Sequence, residues 1–219
     1  MKTKVAARIE RLREKMTRQK IDTFLVLIQE NRRYLSGYTG EDTQFDESAG
    51  ALIISQKSLA LATDSRFELQ AKAEAPLYDL VIYQKGLARE LPAILSRFKT
   101  KRLGIEGLRM SYNFYVKLGE ELKAQDLDIE ISDTSHLMEE LRVVKDDEEI
   151  NAIKRAVEIA EKDFQNFIKN LKHGMKESDA AWDLEKGCDP LAPRPSHFLL
   201  YPLLAKTAPC PTPFPAIGH

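Results

Sequence analysis

An α/β domain built on a mixed sheet flanked by helices is the fold that residues 1–140 predict, and three observations carry it. Short apolar runs alternate with helical segments of roughly ten to fifteen residues, the spacing of strands joined through covering helices. Two of the runs, 51–55 and 58–63, are separated only by Gln56 and Lys57, which makes that pair a hairpin. Glycine is spread thinly, and no phosphate loop or dinucleotide fingerprint is present, so the fold is not read as a nucleotide binder. There is no internal repeat.

The elements follow in order. Residues 5–19 place Val5, Ile9, Leu12 and Met16 on one face and charged residues on the other, an amphipathic helix. A buried strand is expected over 21–28. The run Asn31-Arg32-Arg33-Tyr34-Leu35-Ser36-Gly37-Tyr38-Thr39-Gly40 is read as a glycine loop displaying aromatics, and 41–48 as an acidic polar loop. After the hairpin, Asp64-Ser65-Arg66 caps a helix over 67–75 that Pro76 stops. A strand over 78–83, a helix over 87–98, a strand over 102–106, a helix over 111–124, a strand over 127–132 and a short helix over 135–143 complete the domain.

A long helix begins near Asp146, because Asp146 and Glu149 have capping-box spacing and the acidic run 146–149 lies at the positive end of the helix dipole. Ile150, Ile153, Val157, Ala160, Phe164, Phe167, Ile168 and Leu171 recur at spacings of three and four, one apolar stripe. His173-Gly174 is expected to stop it, with His173 as a cation facing the helix C-terminus. A stripe of this size left wet is costly, so it is expected to pair with another copy, to fold back on the N-terminal domain or to cause aggregation, with pairing favoured.

Lys plus Arg number 33 against 34 Asp plus Glu, a balance that argues against nucleic acid or an anionic membrane as partner. The longest apolar run, 24–28, is too short to span a bilayer, and Met1-Lys2-Thr3-Lys4 leads into a charged helix, so a cytoplasmic location is expected. Both cysteines, Cys188 and Cys210, fall in the last 32 residues, which leaves the rest with neither a disulfide framework nor a thiol nucleophile.

Four ordered motifs carry a resemblance: Tyr34-Leu35-Ser36-Gly37-Tyr38-Thr39-Gly40; Ala62-Thr63-Asp64-Ser65-Arg66-Phe67 with Gln70-Ala71; Leu103-Gly104-Ile105-Glu106; and Leu141-Arg142-Val143-Val144-Lys145 with Glu149-Ile150. Residues 1–187 resemble the N-terminal half of the creatinase and Xaa-Pro peptidase (prolidase, aminopeptidase P-like) family. The resemblance implies a creatinase-type N-terminal domain over 1–140, and over 141–187 the first helices of an incomplete "pita-bread" α+β domain. In full-length members that second domain holds two divalent metals, such as Mn, Co or Zn, through two Asp, one His and two Glu. Those ligands lie beyond residue 187, so no cofactor and no catalytic or metal residue is expected in this chain. The resemblance also places the region of Tyr34, Tyr38, Asp64 and Arg66 near the active-site mouth of a second subunit, as an intersubunit or substrate-facing loop. Self-association or pairing with a full-length relative is the expected partnership.

Residues 188–219 change character, with eight of the ten prolines and only three charged residues, so no regular helix or interior strand is expected. Reading the third base of each codon with the first two of the next allows Lys206 to Pro213 to encode Asn-Gly-Pro-Leu-Pro-His-Ala, and Pro195 to Phe198 to encode Leu-Ser-Phe. Those words resemble what the family places next, at the same spacing. The tail is therefore read as an out-of-frame translation that begins at or just after Gly187, and the protein as truncated before its metal-binding domain.

Other side chains have simpler readings. Cys188, Cys210, His197 and His219 lack ligand spacing and an orienting acid. Asp42, Asp46 and Glu47 read as a solvated loop rather than a cation site, His136 as part of the short helix, and Asp64 with Arg66 as an N-cap and local ion pair. Tyr34, Tyr38 and Phe45 are aromatics on the glycine loop.

Overall fold

A computed structural model describes residues 2–42 and 48–187. The chain divides into two compact units, Met1–Val144 and Lys145 onward. The boundary falls at 144 rather than 140 because the helix before it, which ends at Val143, sends Leu137, Met138 and Leu141 into the first unit's core.

The first unit is a six-stranded mixed sheet. Its strands are β1 (Thr23–Val26), β2 (Ala51–Ser55), β3 (Leu59–Thr63), β4 (Asp79–Ile82), β5 (Arg102–Ile105) and β6 (Glu130–Asp133), in the order β4-β3-β2-β1-β5-β6. The hairpin at Gln56-Lys57 makes β2 antiparallel to both of its neighbours, while β1 with β5, β5 with β6 and β3 with β4 run parallel. Period-two alternation sends Phe24 and Val26 of β1 to one core and Leu25 to the other. Helices α1 (Lys2–Arg18), α2 (Gln29–Ser36), α3 (Glu68–Glu74) and α6 (Leu137–Val143) cover the first face. Helices α4 (Leu87–Arg97) and α5 (Tyr112–Ala124) cover the second.

The sequence expectation differs most at α2. A loop was expected from Asn31 onward, yet Gln29–Ser36 is helical, with Glu30 in its first turn, Arg33 in its last and Gly37 closing it at φ 82°. Its polar run hides the helix from a periodicity argument because Asn31 and Arg32 are buried on it as fully as Leu35. Consequently β1 is shorter than the expected 21–28. Two other strand and helix limits shift for local reasons. Asp126, in the left-handed region at φ 54°, turns the chain out of α5 and delays β6 to Glu130, and His136 at φ 79° stands just before α6 rather than within it. The helix expected over 67–75 begins as a single 3-10 turn, Ser65–Phe67, and then continues as α3.

In the second unit, α7 (Asp147–Asn170) has the expected capping box: Asp146 Oδ1 accepts from Glu149 N at 3.0 Å, and Glu149 Oε2 accepts from Asp146 N at 2.8 Å. It ends at Leu171, which is extended, so His173 lies past the last turn and Lys169 is the basic residue there. Helix α8 (Glu177–Gly187) follows and packs on α7. The expectations for 188–219, including the out-of-frame tail with Cys188, Cys210, His197 and His219, lie outside the described residues. No helix among the described residues is long and apolar enough to cross a membrane.

Candidate functional site

In an open α/β sheet a ligand crevice forms beyond the carboxyl ends of adjacent parallel strands whose connections leave to opposite faces. Here those strands are β1, which leads into α2 on one face, and β5, which leads into α5 on the other. Glu106, the residue after β5, closes that crevice from within. Its carboxylate accepts from Leu27 N at 2.6 Å, from Ile28 N at 2.7 Å and from the Asn31 side-chain amide at 2.6 Å. Arg142 donates to Asn31 Oδ1 at 2.8 Å, so the amide is held from both ends. Glu106 is 4% exposed, and burial pushes its pKa up to about 7 despite three donors that favour the charged form. What is left of the crevice is a hollow bordered by Phe24, Ile28, Thr134 and Met138, with room for about one water molecule.

A second buried ionisable side chain, Arg32, lies on α2 next to Asn31. Arg32 donates to Asp42 Oδ1 at 2.8 Å and Oδ2 at 3.1 Å, to the Leu27 carbonyl at 2.7 Å and to the Gly40 carbonyl at 3.1 Å. Asp42 also accepts from Ala49 N at 2.8 Å. Asp42 is therefore no solvated loop residue, since its side chain is only 4% exposed against the fully buried guanidinium. Asp46, Glu47 and Phe45 lie outside the described residues.

The four residues singled out from the sequence separate into two groups. Tyr34 and Tyr38 are inward-facing. Tyr34 lies under the Arg8 guanidinium, 4.0 Å from its ring centre, and donates to the Leu141 carbonyl at 3.3 Å. Tyr38 is fully buried and donates to the Ala49 carbonyl at 2.8 Å, and burial raises the pKa of its hydroxyl. The aromatics thus belong to the core, and the side chains left at the surface of this group are those of Asp64 and Arg66. Asp64 accepts from Arg66 N at 2.8 Å and pairs with its guanidinium at 2.8 Å, the N-cap and local ion pair read from the sequence. Hydrogen bonding to Arg66 holds the Asp64 carboxyl below its usual range.

Glycine 40 matters for a steric reason. A Cβ there would stand 2.3 Å from the buried Tyr38 ring. Gly40→Ala is expected to cost about 1–3 kcal/mol through forced displacement of that ring, read as a lower urea midpoint with an unchanged slope. A loss below a few tenths of a kcal/mol would mean that the ring moves freely.

In the sequence Glu106 and Arg142 stand in two of the motifs with no visible role, and Asn31 and Arg32 fall in the stretch that reads as a glycine loop. The available signal was a carboxylate directly ending the buried strand Leu103-Gly104-Ile105 and an Asn-Arg pair inside an otherwise foldable helix.

The sheet order and the helices on both faces define the class, an α/β domain with a mixed sheet whose crevice beside β1 and β5 is occupied by its own hydrogen-bond network. The chain belongs to the creatinase/prolidase family, whose Creatinase/Prolidase N-terminal domain model matches residues 8–144. It is 30% identical over 178 residues to the uncharacterized peptidase YqhT of Bacillus subtilis, covering 81% of this chain and 47% of that protein. Xaa-Pro dipeptidase from Bacillus anthracis superposes with a TM-score of 0.74 at 30% identity, over 84% of this chain and 48% of that one. The N-terminal domain of cytoplasmic peptidase PepQ from Mycobacterium tuberculosis gives 0.54 at 26% identity, over 62% of this chain and 98% of that one. The chain thus spans about half the length of YqhT and of the dipeptidase. Among the described residues no group of three or more His, Cys, Asp or Glu is placed to hold a metal ion.

Proposed function

We propose that residues 8–144 serve as the non-catalytic N-terminal domain of an Xaa-Pro aminopeptidase- or dipeptidase-like protein. Full-length relatives would hydrolyse the peptide bond next to proline at a dinuclear metal centre, and among the described residues here no group of three or more His, Cys, Asp or Glu is placed to hold a metal ion. The observation that supports this reading is the family match over 8–144 together with a crevice that Glu106 fills, which leaves the domain a scaffold rather than a small-molecule site. The proposal includes the origin of the tail: residues 188–219 are an out-of-frame translation of the segment that follows in the family. Sequencing the gene across the codons for Gly187 to Pro213 tests it, and an unshifted frame at high quality would overturn it.

The purified chain is expected to show no hydrolysis of Xaa-Pro dipeptides or longer Xaa-Pro peptides, with or without manganese, cobalt or zinc. Metal-dependent cleavage that co-purifies with the polypeptide and disappears on its depletion would overturn the non-catalytic reading.

A second reading, a stand-alone module that dimerises or binds a full-length relative, draws support from α7, where five large apolar side chains are 39–53% exposed. Its partner would be a protein surface, and neither nucleic acid nor membrane is proposed.

A further inference from the structure

The hydrogen bonds that tie the end of α6 to α2 fix the charge state they require. Arg142 donates to Asn31 at 2.8 Å. A guanidinium carries only donors, so the Asn31 atom facing it is the carbonyl oxygen, and the amide NH2 is thereby turned toward Glu106 Oε1, at 2.6 Å. The other carboxylate oxygen, Oε2, stands between Leu27 N at 2.6 Å and Ile28 N at 2.7 Å. All three partners are donors, the arrangement that a charged acceptor needs.

A proton on Glu106 has no place in that arrangement. The two backbone N–H groups cannot turn, so Oε2 stays an acceptor and the hydrogen goes to Oε1, where Asn31 can accept it only by turning its amide over. The turned amide then presents its NH2 to the Arg142 guanidinium, donor against donor. We propose that Glu106, Asn31 and Arg142 form a proton-operated latch: the charged carboxylate holds the last turn of α6 on α2, and its protonation turns the Asn31 amide and releases Arg142. Burial pushes the Glu106 pKa up to about 7, so the link is present above that pH and lost below it. The rest of α6 stays docked through the buried Leu137, Met138 and Leu141 and through the Tyr34 hydroxyl on the Leu141 carbonyl.

The surroundings leave Glu106 as the operating group. His136 and Glu139 of α6 border the same hollow, and the Glu139 charge adds to the upward shift. On α2 the Arg32 guanidinium is taken by Asp42, which also has Arg109 at 3.6 Å. Asp133, at the end of β6, accepts from Gly107 N and Ser135 N. Lys15 of α1 pairs with Glu140 of α6, and β1 carries no titratable side chain.

Hydrogen exchange of the full chain between about pH 5.5 and 8 tests it, corrected for the intrinsic pH dependence and followed at Arg142 and Val143 against the core amide of Leu61. On acidification the wild type is expected to lose roughly tenfold or more of the protection at these two amides, with the midpoint at which the Glu106 carboxyl-carbon NMR shift titrates. In Glu106→Gln the two backbone N–H groups take the side-chain carbonyl, which leaves its NH2 at the Oε1 position as a mimic of the protonated acid. Protection there is expected to be low at every pH, and Arg142→Met to be equally low and flat. His136→Asn, which tolerates the left-handed backbone of that position, is expected to keep the wild-type profile. Protection that stays level while the Glu106 carboxyl titrates overturns the proposal, since the proton is then given to a water in the hollow. A carboxyl that does not titrate in this range overturns it as well. So does a Glu106→Gln variant as protected as the wild type at pH ~8, or a pH dependence that disappears with His136.

Discussion

Arg32→Ala is expected to cost about 3–5 kcal/mol. The guanidinium is fully buried, and its removal leaves the Asp42 carboxylate inside the protein with Arg109 at 3.6 Å as its nearest cation. The carbonyls of Leu27 and Gly40 lose a donor at the same time. A loss of this size is a large share of the 5–15 kcal/mol that typically separates folded from unfolded states. Urea unfolding reads the total. Hydrogen exchange at Ala49, whose amide donates to Asp42, reads the local part and is expected to accelerate before global unfolding. Arg32→Met with Asp42→Asn should recover part of the loss, because the stranded charge is gone while the two carbonyls stay unpaired. If Arg32→Ala changes stability by less than about 1 kcal/mol, water has replaced the guanidinium and the pair is not structural.

Removing the Glu106 side chain is expected to cost on the order of 4 kcal/mol, since Glu106→Ala strands two backbone N–H groups and the Asn31 amide in the closed crevice. The isosteric change carries the more specific prediction. The folded-state pKa of Glu106 is raised from 4.5 to about 7, so the native protein prefers its protonated form. That preference is fully present below pH ~4.5 and is lost as pH rises through about 7, by roughly 3 kcal/mol in all. Glu106→Gln is neutral throughout and loses nothing over that range. The stability of the wild-type protein minus that of Glu106→Gln should therefore fall between pH ~4.5 and ~7.5. Taking the difference cancels Asp64, Asp133, Glu130 and Glu140, whose lowered pKa values act in the opposite direction at lower pH. A difference that stays flat across this range would mean that the three donors outweigh burial and keep the carboxylate charged.

These two positions explain why a scaffold role suits the domain. The place where an α/β sheet normally takes a ligand is filled by Glu106, and the next loop is pinned by Arg32, so both sites hold backbone rather than substrate.

The alternation of apolar runs and helical segments, the hairpin at Gln56-Lys57, the Asp64 cap and the Asp146–Glu149 capping box were all legible in the sequence. Each rests on residues no more than a few positions apart, whose geometry the local chain dictates. The apolar stripe of α7 was legible for the same reason. The state of α2, the inward turn of Tyr34 and Tyr38 and the roles of Glu106 and Arg32 were not. Asn31 meets Glu106 across 75 residues and Arg142 across 111, while Tyr34 reaches Leu141 across 107. A polar side chain is expelled to water or accepted into a core according to whether partners stand ready to replace its hydration. For Asn31, Arg32 and Glu106 those partners are assembled by the sheet, so only the tertiary structure could decide their burial.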